Sequence, residues 1–455
     1  MTQSMTTGNP LKLILRFSLP LLLGNLFQQT YNMVDAAIVG QTLGAKSLAA
    51  VGSSSSVQFL VLGFCIGTCA GFAIPIAQRF GAEDYTGMRQ YEFAGSIWSA
   101  VIAVILTLIT CFACGGILRV LQVPQEIFSQ AYDYLIVIFI GIPFTILYNW
   151  LSGILRAIGD SRTPFFFLAL SAVMNIFLDF FCILNLGWGV AGAAIATVFS
   201  QAVSGILCLI LILRKFDILH FRSEDKVVNK ELTKNLIVMG VPMGLQYSIT
   251  AIGSMVMQSA NNSLGTVYVS GFTAGMKIKQ FMMCPFDSLA TAVSTFASQN
   301  YGALKPERIR KGIMQGTAIG VLYGIVSGLV LIFFGRSLSM LFVSGKNGAV
   351  LDASALYLRR MGMFWWLLGF LNVERTATQG LGYAGRAVFS GVVEMICRCI
   401  VSIGFVPVFG YDAITFADQA AWLGACLYIV PVCIVTVRHI TRKIEMEKNL
   451  ESLSQ

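Results

Sequence analysis

FSLPLLLGNLFQQTYNMVDAAIVG, Phe17 to Gly40, is an apolar run long enough to cross a bilayer, and it carries polar residues at helical spacing. Gln28, Tyr31, Asn32 and Asp35 stand at i, i+3, i+4 and i+7, so they share one helix face. The stretch has a counterpart farther along the chain, where Pro20 in FSLPLLLG is matched by Pro242 in MGVPMGLQ. AQRFGA (Ala77 to Ala82) is likewise matched by SQNYGA (Ser298 to Ala303), and LRAIGDSR (Leu155 to Arg162) by TQGLGYAGR (Thr378 to Arg386). Offsets of 221 to 224 residues make the chain a tandem repeat of two membrane halves, related by a pseudo-twofold axis along the membrane normal.

The composition agrees with this reading. Of 455 residues, 56% are hydrophobic and 12% charged, where a soluble domain carries about 25% charged residues. At ~20 apolar residues per span there is material for about a dozen spans. Six are predicted at 13–39, 47–77, 92–114, 131–156, 163–184 and 189–213, and six more at 234–261, 267–298, 311–334, 353–380, 386–406 and 418–438. The expected fold is all-α and polytopic, with twelve transmembrane helices in two six-helix bundles. Residues 1–213 form the N-lobe, 214–233 a connecting loop, 234–438 the C-lobe and 439–455 a polar tail.

Lys and Arg in alternate loops divide 21 to 4, with only Lys46, Arg119, Arg336 and Lys346 on the sparse side. By the positive-inside rule both termini and the 214–233 loop face the cytoplasm, in a multi-pass protein of the inner membrane. The net charge of +9 thus serves a membrane surface, and no nucleic-acid partner is expected. The polar start, Met1 to Pro10, runs into the first span without a cleavage site, so no removable signal peptide is predicted. The eleven cysteines lie in or beside apolar runs, far from His220 and His439, and read as small buried hydrophobes. With no nucleophile or metal constellation, no enzyme activity and no cofactor are expected.

An ionisable group at mid-bilayer costs at least ~2.5 kcal/mol, so each needs a partner or a purpose. Asp179 follows Asn175 by one turn in VMNIFLDFF, and Thr197 supplies a hydroxyl in the next span. With Asp35 these make an oxygen-rich set able to share a proton or hold a sodium ion. The plainer alternative makes Asp35 an end cap and Asp179 a locally satisfied group. Gln28, Tyr31, Asn32 and Tyr134 are candidate cavity residues in this lobe; Met257 and Lys277 are candidates in the other, where Met255, Met276, Met282 and Met283 offer adaptable surface. The second half has no acid from Val241 to Leu264. It holds Lys277, Lys279, Asp287, Arg359, Arg360, Glu374, Arg375, Glu394 and Arg398, read mainly as a structural ion-pair network. In it Glu394 pairs with Arg398, and Glu374 reaches Arg398 or Arg375. For Lys277 and Lys279, snorkelling to the outer surface is the alternative.

Five stretches, Phe17 to Gly52, Gly153 to Phe165, Met174 to Gln201, Phe296 to Gly312 and Thr376 to Arg398, together resemble the multidrug and toxic compound extrusion (MATE) family of the MOP superfamily. The resemblance implies export of cationic or amphipathic compounds against inward proton or sodium flow, by a monomer in the bilayer. Asp35, Asn175, Asp179 and Thr197 match the cation-site positions of its DinF-like branch. The acid that the NorM-like branch carries in span seven is absent, with Thr250 near its place, and a frequent Asp-Pro pair is Asp418-Gln419 here. The alternative within transport is a flippase for a lipid-linked or amphipathic metabolite.

Overall fold

The structure, a computed structural model, describes residues 4–121, 123–343, 345 and 347–454; Lys346, one of the four sparse-side cations, lies outside the described residues. Its elements are helices throughout that range. The first repeat comprises α1 (Pro10–Leu43), α2 (Ala45–Gly81), α3 (Tyr85–Val120), α4 (Gln125–Ile140), α5 (Ile142–Ala157), α6 (Arg162–Phe180) and α7 (Gly189–Lys215). The second comprises α8 (Lys230–Asn262), α9 (Thr266–Gly302), α10 (Pro306–Ser339), α11 (Gly348–Phe364), α12 (Leu367–Gly380), α13 (Ala384–Cys399), the short α14 (Val406–Phe409) and α15 (Tyr411–Ser454). With α4/α5, α11/α12 and α13/α14 each taken as one broken span, the described residues give six spans per repeat.

Nine helices among the described residues are long and apolar enough to cross a membrane, ten with the α4/α5 pair bent by 44°. The chain is therefore a multi-pass membrane protein. The two spans that fall short, α9 and α11/α12, hold Lys277, Lys279, Asp287, Arg359, Arg360, Glu374 and Arg375. α11 and α12, at 17 and 14 residues, are each too short to cross alone, and the charges within α9 lower its hydropathy.

Packing divides the described chain into two units, one of residues 23–248 and one of 4–22 with 249–454. The sequence reading draws the line through the 214–233 connector, but the contacts keep that connector in the first unit and divide α1 after Leu22 and α8 after Ser248. In the first unit α2 packs on α3, α4 and α5, and α7 packs on α4, α5 and α6. Gly63, Gly67 and Gly71 of α2 meet the early part of α8 at Gly240 and Gly244. A Cβ on Gly67 would stand 2.6 Å from the Met243 carbonyl oxygen, and one on Gly71 2.6 Å from the Gly240 Cα. Small residues one turn apart on both helices let the backbones touch, the usual way in which membrane helices gain van der Waals contact. In the second unit α9 packs on α10, α11 and α12, and α15 on α11, α12 and α13, around buried Tyr357, Trp365 and Trp422.

Each unit receives a strap that leads into the first helix of a repeat. In the second unit, residues 4–9 precede α1 and Met5 is buried. The Met5 N–H donates to Gln299 Oε1 at 2.8 Å, and its carbonyl accepts from Asn300 Nδ2 at 3.1 Å and Arg308 Nη2 at 3.0 Å. In the first unit the segment before α8 is held by buried Asp225, which accepts from Arg89 Nε at 2.6 Å and the Arg222 N–H at 2.8 Å. Trp98 adds a 3.1 Å bond to Thr233, and Asn235 donates to the Tyr91 hydroxyl at 2.8 Å. Both straps dock where the second helix of a repeat turns into the third, at the AQRFGA and SQNYGA sequences and the residues after them.

Candidate functional site

Four helices of the first unit bring polar groups together. α1 supplies Tyr31 and Asp35, α6 supplies Asn175 and Asp179, α7 supplies Thr197 and α4 supplies Tyr134. The i, i+4 spacing of Asn175 and Asp179 turns both inward, where both are buried. Directly after Asp179 the α6 backbone widens into a π-type turn, Phe181–Asn185, a local departure common at functional sites. Ile38, Val39, Tyr134, Ile138, Ile183, Val190, Ala193 and Ala194 pack as an apolar shell there.

Within this shell the Asp35 and Asp179 carboxyl groups are in hydrogen-bond contact. With its amide oriented to satisfy both ends, Asn175 donates to Asp179 Oδ2 at 3.1 Å and accepts from the Thr197 hydroxyl at 3.2 Å and the Thr197 N–H at 3.1 Å. The Tyr31 hydroxyl bonds to Thr197, tying α1 to α7. The Tyr134 hydroxyl bonds to Gln58 of α2, whose amide donates to Ser54 Oγ at 3.0 Å. One oxygen of each acid, Asp35 Oδ1 and Asp179 Oδ1, is buried without a partner. Two carboxyls in contact can hold one proton between them, because like charges so close resist joint ionisation. The same oxygens, with the amide and hydroxyl beside them, suit a hard cation.

The structure thus brings together Asp35, Asn175, Asp179 and Thr197 with Tyr31 and Tyr134. Of the other cavity candidates, Gln28 is half-buried and Asn32 and Lys277 are exposed, while Met257, at 1% exposure, belongs to the apolar core of the second unit.

The charged residues of the second unit make a different arrangement. Arg375 Nη2 meets Glu394 Oε2 at 2.6 Å, and Arg398 Nη2 meets Glu394 Oε1 at 3.5 Å. Arg398 Nε also donates to Asp418 Oδ1 at 3.0 Å, while Asp418 Oδ2 receives Lys279 Nζ at 2.5 Å and the Tyr357 hydroxyl at 2.9 Å. Arg375 Nε adds a 2.8 Å bond to Ser390. One expectation is corrected here and one alternative is set aside. Glu374 joins no ion pair among the described residues, its Oε2 being buried without a partner, and Lys279 turns inward instead of snorkelling. Asp287 and Lys277 are exposed on α9 and join no ion pair among the described residues, and Arg360 pairs with Asp412 at 2.5 Å. The residue that sequence reasoning missed is Asp418. It looks like the polar edge of the last span, but α15 begins at Tyr411 and carries it two turns inside. Its signal was the repeat, because Asp418 lies 221 residues after Thr197.

Comparison with known proteins adds the lineage. The family model MatE matches the chain twice, over residues 20–181 and 242–403, an offset of 222 at both ends. A Bacillus subtilis relative named "Probable multidrug resistance protein YpnP" is 30% identical, over 92% of this chain and 90% of its own length. The Staphylococcus haemolyticus "Multidrug export protein MepA" is 24% identical over 84% and 85%. Among solved structures, the outward-facing conformation of a multidrug resistance MATE family transporter of the MOP superfamily aligns with a TM-score of 0.90 at 23% identity, covering 96% of this chain and 98% of that one. A MOP superfamily transporter from Pyrococcus furiosus aligns with a TM-score of 0.86 at 25% identity, covering 98% of each chain.

Proposed function

The chain belongs to the MatE family of multidrug efflux transporters, and from that premise we propose that it is a secondary active antiporter exporting cationic or amphipathic compounds, driven by proton or sodium influx. The observation that carries the coupling is the contact between Asp35 and Asp179, with one buried oxygen left unpartnered on each. That site is charged when empty and loses charge on taking up a proton or a sodium ion, so loading changes its electrostatic tie to the helices around it. Tyr31 and Asp35 share one face of α1, so the change acts directly on that helix. Pro20, lower in α1, lacks a backbone N–H and gives a place at which the helix yields. Asn175 and Thr197 position the carboxyls and complete the oxygen set. The working protein is a monomer of the inner membrane, with both termini and the segment before α8 in the cytoplasm. This orientation rests on the basic-residue bias.

The test is uptake of an organic cation into inside-out vesicles under separately imposed proton and sodium gradients. Uptake should follow one or both gradients, and Asp35→Asn should abolish it at unchanged protein abundance. Gradient-driven uptake that survives the substitution would sink the coupling role.

A further inference from the structure

The network of the second unit stands at the repeat positions of the first unit's site. Gln58 and Lys279 are 221 residues apart, Tyr134 and Tyr357 223, Asn175 and Arg398 223, and Thr197 and Asp418 221, all within the offsets of the repeat. The helices agree, since α2 and α9 start and end 221 residues apart. A π-type turn follows α13 at Ile400–Phe405, as one follows α6 at Phe181–Asn185. One bond corresponds: Asn175 bonds across to Thr197, and Arg398, at its repeat position, bonds across to Asp418 at that of Thr197. The tyrosine turns to a different partner in each unit, Tyr134 to Gln58 and Tyr357 to Asp418. What differs is the charge. The counterparts of Asp35 and Asp179 at offsets of 222 and 223 are Met257 and Ser402, and Gln58 is replaced by Lys279.

We infer that the second unit holds a copy of the cation site that is permanently filled by a tethered cation, the Lys279 ammonium on Asp418. This rests on the Asp35–Asp179 site being the exchangeable one. Lys279 meets the physical requirements. Its ammonium is held by a 2.5 Å contact to Asp418, lies 5.3 Å from the face of Trp422, and has a side chain that is only 12% exposed. A mobile ion of the same sign is excluded from a carboxylate already occupied in this way, because the second charge would be buried beside the first. Arg398 on the other carboxylate oxygen also pairs with Glu394, so the Lys279 ammonium is the charge whose removal vacates Asp418 Oδ2. One lobe then exchanges a cation while its copy carries one covalently, which sets a single coupling site per chain.

The inference predicts that giving Lys279 the residue found at its counterpart opens a latent site. Purified Lys279→Gln in detergent should bind about one more sodium ion per chain than the wild type in equilibrium binding of radioactive sodium. The gain should vanish in Lys279→Gln/Asp418→Asn and be absent from Lys279→Arg, which keeps a tethered charge. A folded, monodisperse Lys279→Gln that binds no more sodium than the wild type overturns the inference. If Lys279→Gln does not accumulate, Lys279→Ala purified in methylammonium decides the matter. Saturable methylammonium retention that Asp418→Asn removes supports the tethered cation, and its absence refutes it. These readouts are independent of export, so loss of the coupling reading would appear separately, as gradient-driven uptake that survives Asp35→Asn.

Discussion

The two buried charge clusters overlap in their places in the repeat and are finished in opposite ways. In the first unit two acids touch and each leaves an oxygen unpartnered. In the second, the carboxylates of Glu394 and Asp418 each receive two cations, and Asp418 a hydroxyl in addition. An unfinished hydrogen-bond inventory in a low-dielectric interior costs stability, and it is tolerated where the missing partner comes and goes. A network in which every carboxylate is paired holds helices together even though Arg398 Nη1 stays unpartnered, and removal of a member leaves an uncompensated charge. On the reading proposed above, the difference separates a site that exchanges its cation from one that keeps it.

Substitutions can break this contrast. The largest expected effect is on transport: Asp179→Asn should cut gradient-driven export about 100-fold, ~2.7 kcal/mol on the transport barrier, while thermal stability in detergent stays level or rises. A marked fall in melting temperature would place Asp179 among the structural acids. Next comes Asp418→Asn, which strands Lys279 and one side of Arg398 and should cost ~3–5 kcal/mol of stability, seen as a large drop in melting temperature and in folded yield. Retained stability would mean that the network is not a scaffold.

Glu374 sharpens the comparison from within the second unit. Its Oε2 is buried without a partner, so Glu374→Met should be neutral or stabilising by about 1 kcal/mol, unlike Glu394→Gln, measured side by side.

The smallest effect lies outside the spans. Burial alone would push the Asp225 carboxyl up, but the Arg89 hydrogen bond, the Arg222 N–H and the charges of both arginines hold it below the usual carboxylate range. A depressed folded value means that its contribution is complete above about pH 4 and is lost as pH falls through the folded value. Wild type should therefore outlast Asp225→Asn at pH 7, and the gap in melting temperature should narrow towards pH 3. A constant gap would contradict this.

The fold was legible because a bilayer imposes a length and a hydropathy on each span, and the echoes around Pro20 and Pro242 exposed the repeat. The first site was legible because Asp35, Asn175 and Asp179 stand at helical spacings in otherwise apolar runs. Asp418 was not, because a single acid near the predicted start of a span looks like a boundary, and only the true start of α15 at Tyr411 puts it inside. Glu374 was assigned to the wrong group because sequence proximity to Arg375 says nothing of direction: consecutive helical residues point about 100° apart, and Arg375 turns to Glu394 instead. Nor does hydropathy report where α1 and α8 change allegiance, which depends on what their early turns touch.

The straps have a consequence for the history and the handling of such a chain. The start of α1 packs in the second unit and the start of α8 in the first, so each repeat borrows the anchor for its leading helix from the other. A gene encoding one repeat alone would make a protein whose first helix has nowhere to dock unless a second copy offers its AQRFGA-type turn in exchange. Separately expressed halves should therefore accumulate only when made together. A purification tag is better placed after α15 than fused close to Met5, whose backbone both donates and accepts the bonds that seat the strap.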